Sequence, residues 1–106
     1  MKRYDICWTA LDPTLGSEMA RTRPAVIVSL DVLNAKLQTV TICPLTTALR
    51  PKWRTRLATR SGGRAADVAV DQIRAVAKSR IGKRIGSLTD AEATALRRLI
   101  TEMYGE

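Results

Sequence analysis

The chain has 106 residues, enough for one domain around one modest core, and its four aromatics include no Phe, so that core must be aliphatic. There is no histidine, which removes the commonest general base and the commonest metal ligand together. The net charge of +8, from 18 Lys and Arg against 10 Asp and Glu, favours polyanionic partners such as RNA, DNA or an acidic protein segment.

Thirteen of the 18 cations are Arg, the side chain suited to forked phosphate contacts, although a merely soluble basic surface is the plainer reading. Cys7 and Cys43 fall in predicted strands without CxxC spacing, as expected of buried free thiols in a reducing compartment, with a disulfide between them as the alternative. The start Met-Lys-Arg-Tyr-Asp lacks the apolar core of a signal peptide, and no run reaches membrane-spanning length. A cytoplasmic protein without membrane contact is expected.

In residues 3–11, Ile6, Trp8 and Ala10 alternate with Asp5, Cys7 and Thr9, which predicts a strand carrying Trp8 into the core or a dimer interface. Asp12-Pro13 ends it, and the loop to Thr22, with Gly16, Ser17 and Glu18, is long enough to be a functional flap. Arg23 stands directly before Pro24. Proline bars helix for its predecessor and fixes its own φ, so Arg23 is expected extended at the mouth of a strand over residues 25–29. The β-branched run Val26, Ile27, Val28 reads as buried on both faces. One helical turn capped by Asp31 is expected over residues 30–34. A third strand follows over 38–43, which Pro44 stops, leaving Leu45, Thr46 and Thr47 at its end.

Residues 50–64 carry six basic side chains and no acidic one. Arg50, Lys52, Arg54 and Arg56 occupy alternate positions, so an extended segment places all four on one face, with Trp53, Thr55 and Leu57 on the other. The plainer reading is a solvated edge strand whose charges block aggregation. Ser61-Gly62-Gly63 is a turn; a strand is expected over 67–73 with Asp71 beside Val68 and Val70, residues 75–77 are its short neighbour, and 79–86 are a basic connector. Thr89-Asp-Ala-Glu92 is a capping box opening a helix whose Leu96, Leu99, Ile100 and Met103 form one apolar stripe. About five short strands with one terminal helix predict a mainly β (α+β) fold, a small β-barrel capped by a C-terminal α-helix.

Tyr4-Asp-Ile-Cys-Trp8, Leu11-Asp-Pro13, Gly16-Ser-Glu18, Arg23-Pro-Ala-Val-Ile-Val-Ser29, Cys43-Pro-Leu-Thr46 and Val70-Asp-Gln-Ile-Arg74 follow in an order and spacing that resembles the MazF/PemK ribonuclease toxins of toxin–antitoxin pairs. The resemblance runs from about residue 3 to residue 104. It implies an SH3-like barrel over residues 1–106 and a homodimer that cleaves single-stranded RNA sequence-specifically, without metal or cofactor, in a groove associated with the dimer. It also implies a cognate antitoxin. Arg23 and Thr46 match the family's active-site pair, and Asp71 aligns with an acidic residue used in one branch. Two positions depart from the pattern: Tyr4 stands where glycine is usual, and Ala69 stands where that branch has a second active-site arginine.

Metal-free cleavage of RNA can use the substrate's own 2′-hydroxyl as nucleophile, leaving the protein to orient it, move protons and stabilise charge on the phosphoryl oxygens. Arg23 is expected to fork onto the scissile phosphate and Thr46 to donate its hydroxyl to the same group, leaving 2′,3′-cyclic phosphate and 5′-hydroxyl ends. Arginine stays protonated, so the base is a separate question, with Glu18 and Asp71 as open alternatives. The plainer roles are a loop ion pair with Arg21 or Arg23 for Glu18, a structural ion pair for Asp71 and turn chemistry for Thr46. RNA readout is expected from Ser17 and Arg21 in one loop and from Lys52, Trp53, Arg54 and Arg56 in the other, Trp53 stacking on a base for ~1–3 kcal/mol. The same groove suits an acidic, disordered antitoxin segment that folds on binding. Two competing readings are a non-catalytic nucleic-acid-binding barrel and a gyrase-poisoning toxin of the same fold. The second would depend on C-terminal helix residues such as Tyr104 rather than on Arg23.

Overall fold

The computed structural model describes residues 1–12 and 21–105, the side chains of residues 12 and 21 excepted. Ser17 and Glu18 therefore lie outside the described residues, and Arg21 is placed by its backbone alone. The elements run β1 (Asp5–Asp12), β2 (Arg21–Ile27), α1 (Asp31–Lys36), β3 (Thr39–Thr46), β4 (Arg56–Ser61), β5 (Arg64–Ala69), β6 (Arg74–Ala77), β7 (Ile81–Ser87) and α2 (Asp90–Tyr104), with 3-10 turns at Val70–Gln72 and Lys78–Arg80.

Among the described residues the seven strands form one antiparallel sheet in the order β4-β5-β3-β2-β1-β7, with β6 also paired to β3. The sheet curls into a partly open barrel, as the mainly β expectation requires. β2 lies near its middle, and Ala25 to Val28 are buried on both faces. Val26 and Val28 join Leu45, Val68 and Leu96 in a cluster closed by α2, while Ala25 and Ile27 pack with Leu11, Val40, Ile42 and Val76 on the opposite face. The helix begins where the sequence places it: Thr89 accepts from the Glu92 N–H and Glu92 reaches back to the Thr89 N–H.

Several expectations are corrected. Among the described residues seven strands form rather than about five. β7 went unread because its exposed Gly-Lys-Arg-Ile-Gly run has no apolar period; it is held by its backbone pairing to β1 at the sheet edge. The strand expected over 67–73 ends at Ala69 in a 3-10 turn, and β6 pairs with β3 rather than with β5. Asp31 does not cap α1: the N-cap is Leu30, and the Asp31 carboxylate instead accepts the Arg3 N–H at 2.7 Å. In β1 Asp5, Cys7, Thr9 and Leu11 are buried on one face; of the expected apolar face Ile6 is buried in the cluster under α2, while Trp8 is 42% exposed and lies outside both core clusters. Thr9 can enter the interior because its hydroxyl donates to the Cys7 carbonyl, and Asp5 because it accepts from the Lys2 N–H and the Arg84 guanidinium.

Candidate active site

Pro44 does not stop β3. The β2–β3 ladder pairs Ile27 with Ile42, Val26 with Cys43 and Ala25 with Pro44, and there it ends. Beyond that pair β3 takes a different neighbour, Leu45 and Thr46 pairing with Val68 and Asp67 of β5, while Arg23 and Pro24 remain paired to Thr9 and Trp8 of β1. Two strands that were neighbours thus acquire different partners at the next residue, and a cleft opens between them. Pro24 and Pro44 both sit at this fork, and neither has an N–H with which to zip it further.

Arg23 and Thr46 line this cleft together, with Pro24, Leu45, Thr47 and Ala48, around a volume of about 390 Å³. It adjoins a more apolar lobe of about 350 Å³, walled by Trp8, Ile85, Ala65 and Ala66 and by Arg64 and Gly62 of the β4–β5 hairpin. That hairpin is tight: Ser61 pairs with Arg64, and Gly62 and Gly63 both have positive φ, 59° and 78°, which this two-residue turn requires. The charged residues lining the two lobes are Arg23 and Arg64; no described carboxylate lines either. Among the described residues no acidic group lies within ion-pair distance of Arg23. The Thr46 oxygen accepts the Ala48 N–H at 3.1 Å, which occupies a lone pair and leaves the hydroxyl proton available to an acceptor in the cleft.

The other residues singled out in the sequence lie elsewhere. Asp71 lines neither lobe; it accepts the Arg56 Nε at 2.9 Å. The alternating basic face does not form, because residues 51–55 turn instead of extending, with the Trp53 N–H donating to the Arg50 carbonyl. Arg54 pairs with Glu102 of α2. Arg56 faces inward, its side chain only 8% exposed, and Trp53 lies over it with the guanidinium 4.8 Å from the ring centroid. Lys52 is exposed, and Trp53 is half-exposed, with Arg50 also against its ring at 5.5 Å. Sequence reasoning missed Trp8, Ile85 and Arg64 as cleft residues. The Gly62-Gly63 pair was the available signal, since it fixes the hairpin that carries Arg64.

Both thiols are free and buried. Burial first, and then the Asp71 charge, push Cys43 up to about 12. Burial, followed by Asp5, also raises Cys7 against the smaller opposing effects of the N-terminus and Arg84. Neither supplies a thiolate nucleophile at neutral pH.

Fold and cleft together define a class of small protein, a histidine-free β-barrel presenting a cation and a hydroxyl donor at a cleft of phosphodiester size. The chain belongs to the PemK-like, MazF-like toxins of type II toxin–antitoxin systems, whose family model matches residues 2–104. It is similar to the endoribonuclease MazF9 of Mycobacterium tuberculosis, with 32% identity over 105 residues, covering 91% of this chain and 89% of that protein. Its fold is that of the M. tuberculosis toxin MazF-mt6, with a TM-score of 0.80 and 23% identity over 94% of this chain and 95% of that one. It is also that of a mycobacterial endoribonuclease in complex with its cognate antitoxin, with a TM-score of 0.78 and 22% identity over 99% and 95% of the two chains.

Proposed function

We propose that this toxin is an endoribonuclease that cuts single-stranded RNA without a metal ion, in the cleft between β2 and β3. The observation that carries the reading is that Arg23 and Thr46, 23 residues apart, line one cleft where no described carboxylate opposes a phosphate. Arg23 forks onto the scissile phosphate, and the Thr46 hydroxyl donates to a non-bridging oxygen as charge accumulates there. One such preorganised donor is worth roughly 10²–10³ in rate. The 2′-oxygen bonds to phosphorus as the P–O5′ bond breaks. The 2′ proton passes to a carboxylate or to water, and O5′ takes up a proton as it leaves, giving 2′,3′-cyclic phosphate and 5′-hydroxyl ends. Of the two carboxylates expected as proton acceptors, Glu18 is the one to test, because Asp71 lines neither lobe and accepts from Arg56.

The protein acts as a homodimer in the cytoplasm, and an antitoxin with an acidic, disordered segment covers the same basic cleft. The likeness to one endoribonuclease and to another in complex with its cognate antitoxin supports the cleavage and the antitoxin contact. The test is incubation of the purified protein with a long single-stranded RNA in EDTA. Cutting is expected, and Arg23→Ala should abolish it while circular dichroism stays that of the parent. Undiminished cutting by that variant refutes the assigned site. Binding without new RNA ends would instead support a non-catalytic barrel. Gyrase poisoning that needs Tyr104 but not Arg23 would support the third reading.

A further inference from the structure

Outside the cleft, Arg56 is a largely buried cation held by three groups. Its Nε donates to Asp71 at 2.9 Å, one Nη lies 3.8 Å from Asp67, and the same nitrogen reaches the Ala48 carbonyl at 3.5 Å. The Trp53 ring covers it. Asp67 is also buried. It sits directly opposite Thr46 in the β3–β5 ladder, and its carboxylate accepts the Arg50 N–H at 2.8 Å. The Val70 N–H donates to the Thr55 carbonyl at 3.1 Å, just before Asp71. The segment after Thr46 is therefore fastened at Ala48, Arg50 and Thr55, and Arg56 joins these fastenings to two carboxylates.

One path through this cluster ends at the proposed catalytic hydroxyl. Asp71 orients Arg56, Arg56 holds the Ala48 carbonyl, and the Ala48 N–H donates to the Thr46 oxygen. A threonine hydroxyl rotates freely unless a lone pair is engaged, so the Ala48 N–H is what directs the proton toward the cleft. We propose that Arg56 and Asp71 are positioning residues that act through Ala48 to aim the Thr46 hydroxyl, touching no substrate themselves. The proposal rests on the catalytic role given to Thr46 above. It gives Asp71 a role in cleavage that needs no second arginine at position 69, where this chain has a buried Ala.

The test is single-turnover cleavage of a defined RNA by Arg56→Gln, Arg56→Lys and Asp71→Asn, and by Arg56→Gln combined with Thr46→Ala. Arg56→Gln should lower the maximal rate about 10- to 100-fold, the scale of a misplaced catalytic group, and leave the half-saturating protein concentration within about twofold. Lysine, which keeps the charge but not the fork, should fail to restore the rate. In the Thr46→Ala background the Gln substitution should add less than about twofold, because the group it aims is gone. Rescue by Lys, a loss confined to half-saturation, or fully additive losses would overturn the proposal. Amide hydrogen exchange on the RNA-free protein reads the clamp separately: exchange at Ala48 should quicken in Arg56→Gln and in the milder Asp71→Asn, and unchanged exchange in both would also overturn it. Should the parent protein fail to cut RNA, the function assigned above falls, whereas the exchange result still decides whether the clamp exists.

Discussion

Replacing Glu92 with Ala tests how the helix is fastened to the sheet. Glu92 accepts the Thr89 N–H at 2.9 Å at the start of α2 and the Thr59 hydroxyl at 2.6 Å from edge strand β4. The Thr89 N–H is exposed and water can replace its partner, so that loss costs about 0.5–1 kcal/mol. Thr59 is buried, and leaving its hydroxyl without an acceptor costs about 1–3 kcal/mol. The total is roughly 2 kcal/mol, or a Tm lower by about 8–16 °C for a domain of this size. Burial alone would raise the Glu92 carboxyl, but the hydrogen bonds from Thr59 and Thr89 outweigh it and hold the group below the ordinary glutamate value. A carboxylate depressed by folding contributes stability above its unfolded pKa and loses it as pH falls through the folded one. The gap between parent and Glu92→Gln should therefore be open at pH 7 and close below about pH 4. Thermal melts at one protein concentration across pH 3–8 measure both effects. An Ala variant within about 2 °C of the parent at pH 7, or a Gln gap that widens on acidification, would refute the reasoning.

Tyr4 has φ +71°, a left-handed conformation that costs a non-glycine residue about 1–2 kcal/mol, and its ring packs on the core cluster beneath Arg3 and Arg97. Tyr4→Gly and Tyr4→Ala lose the same ring, but only Gly relieves the backbone, so denaturant unfolding should find Gly the more stable by about 1 kcal/mol; equal stability would count against the strain. Trp8→Ala should change stability little and weaken single-stranded RNA binding by ~1–3 kcal/mol, measured by fluorescence anisotropy, if a base stacks in the apolar lobe. A large drop in Tm with unchanged affinity would instead give Trp8 a packing role. Thr46→Ser keeps the hydroxyl and should retain most cutting, whereas Thr46→Val should lose roughly 10²–10³ in rate.

The terminal helix, the buried part of the central strand and the turn at Gly62-Gly63 were legible because each announces itself locally, by a capping box, an unbroken β-branched run and a glycine pair, although the strand spans Arg21–Ile27 rather than 25–29 and so takes in Arg23. The cleft was half legible. Arg23-Pro24 and Pro44-Leu45-Thr46 marked its two walls, but a fork arises only when strands exchange partners, and pairing is not written in either strand alone. Of the expected apolar face of β1, Ile6 is buried and Trp8 is not in the core, and a buried Thr and Asp on the other face looked too polar for the interior. Their hydrogen bonds, to the Cys7 carbonyl and from Lys2 and Arg84, come from the fold. Alternate positions of Arg50, Lys52, Arg54 and Arg56 suggested a strand face, yet the bonds of Asp67 and Asp71 to this segment, made across the sheet, turn Arg56 inward.

The central claim is that a guanidinium and a threonine hydroxyl at the β2–β3 fork carry out RNA transesterification. Its most direct test is to map the ends produced from one defined single-stranded RNA in EDTA by the parent and by Arg23→Ala. The account predicts discrete internal cuts with 2′,3′-cyclic phosphate and 5′-hydroxyl ends from the parent and an uncut RNA with the folded variant. Ends carrying 5′-phosphate, or the same cuts from Arg23→Ala, would contradict it.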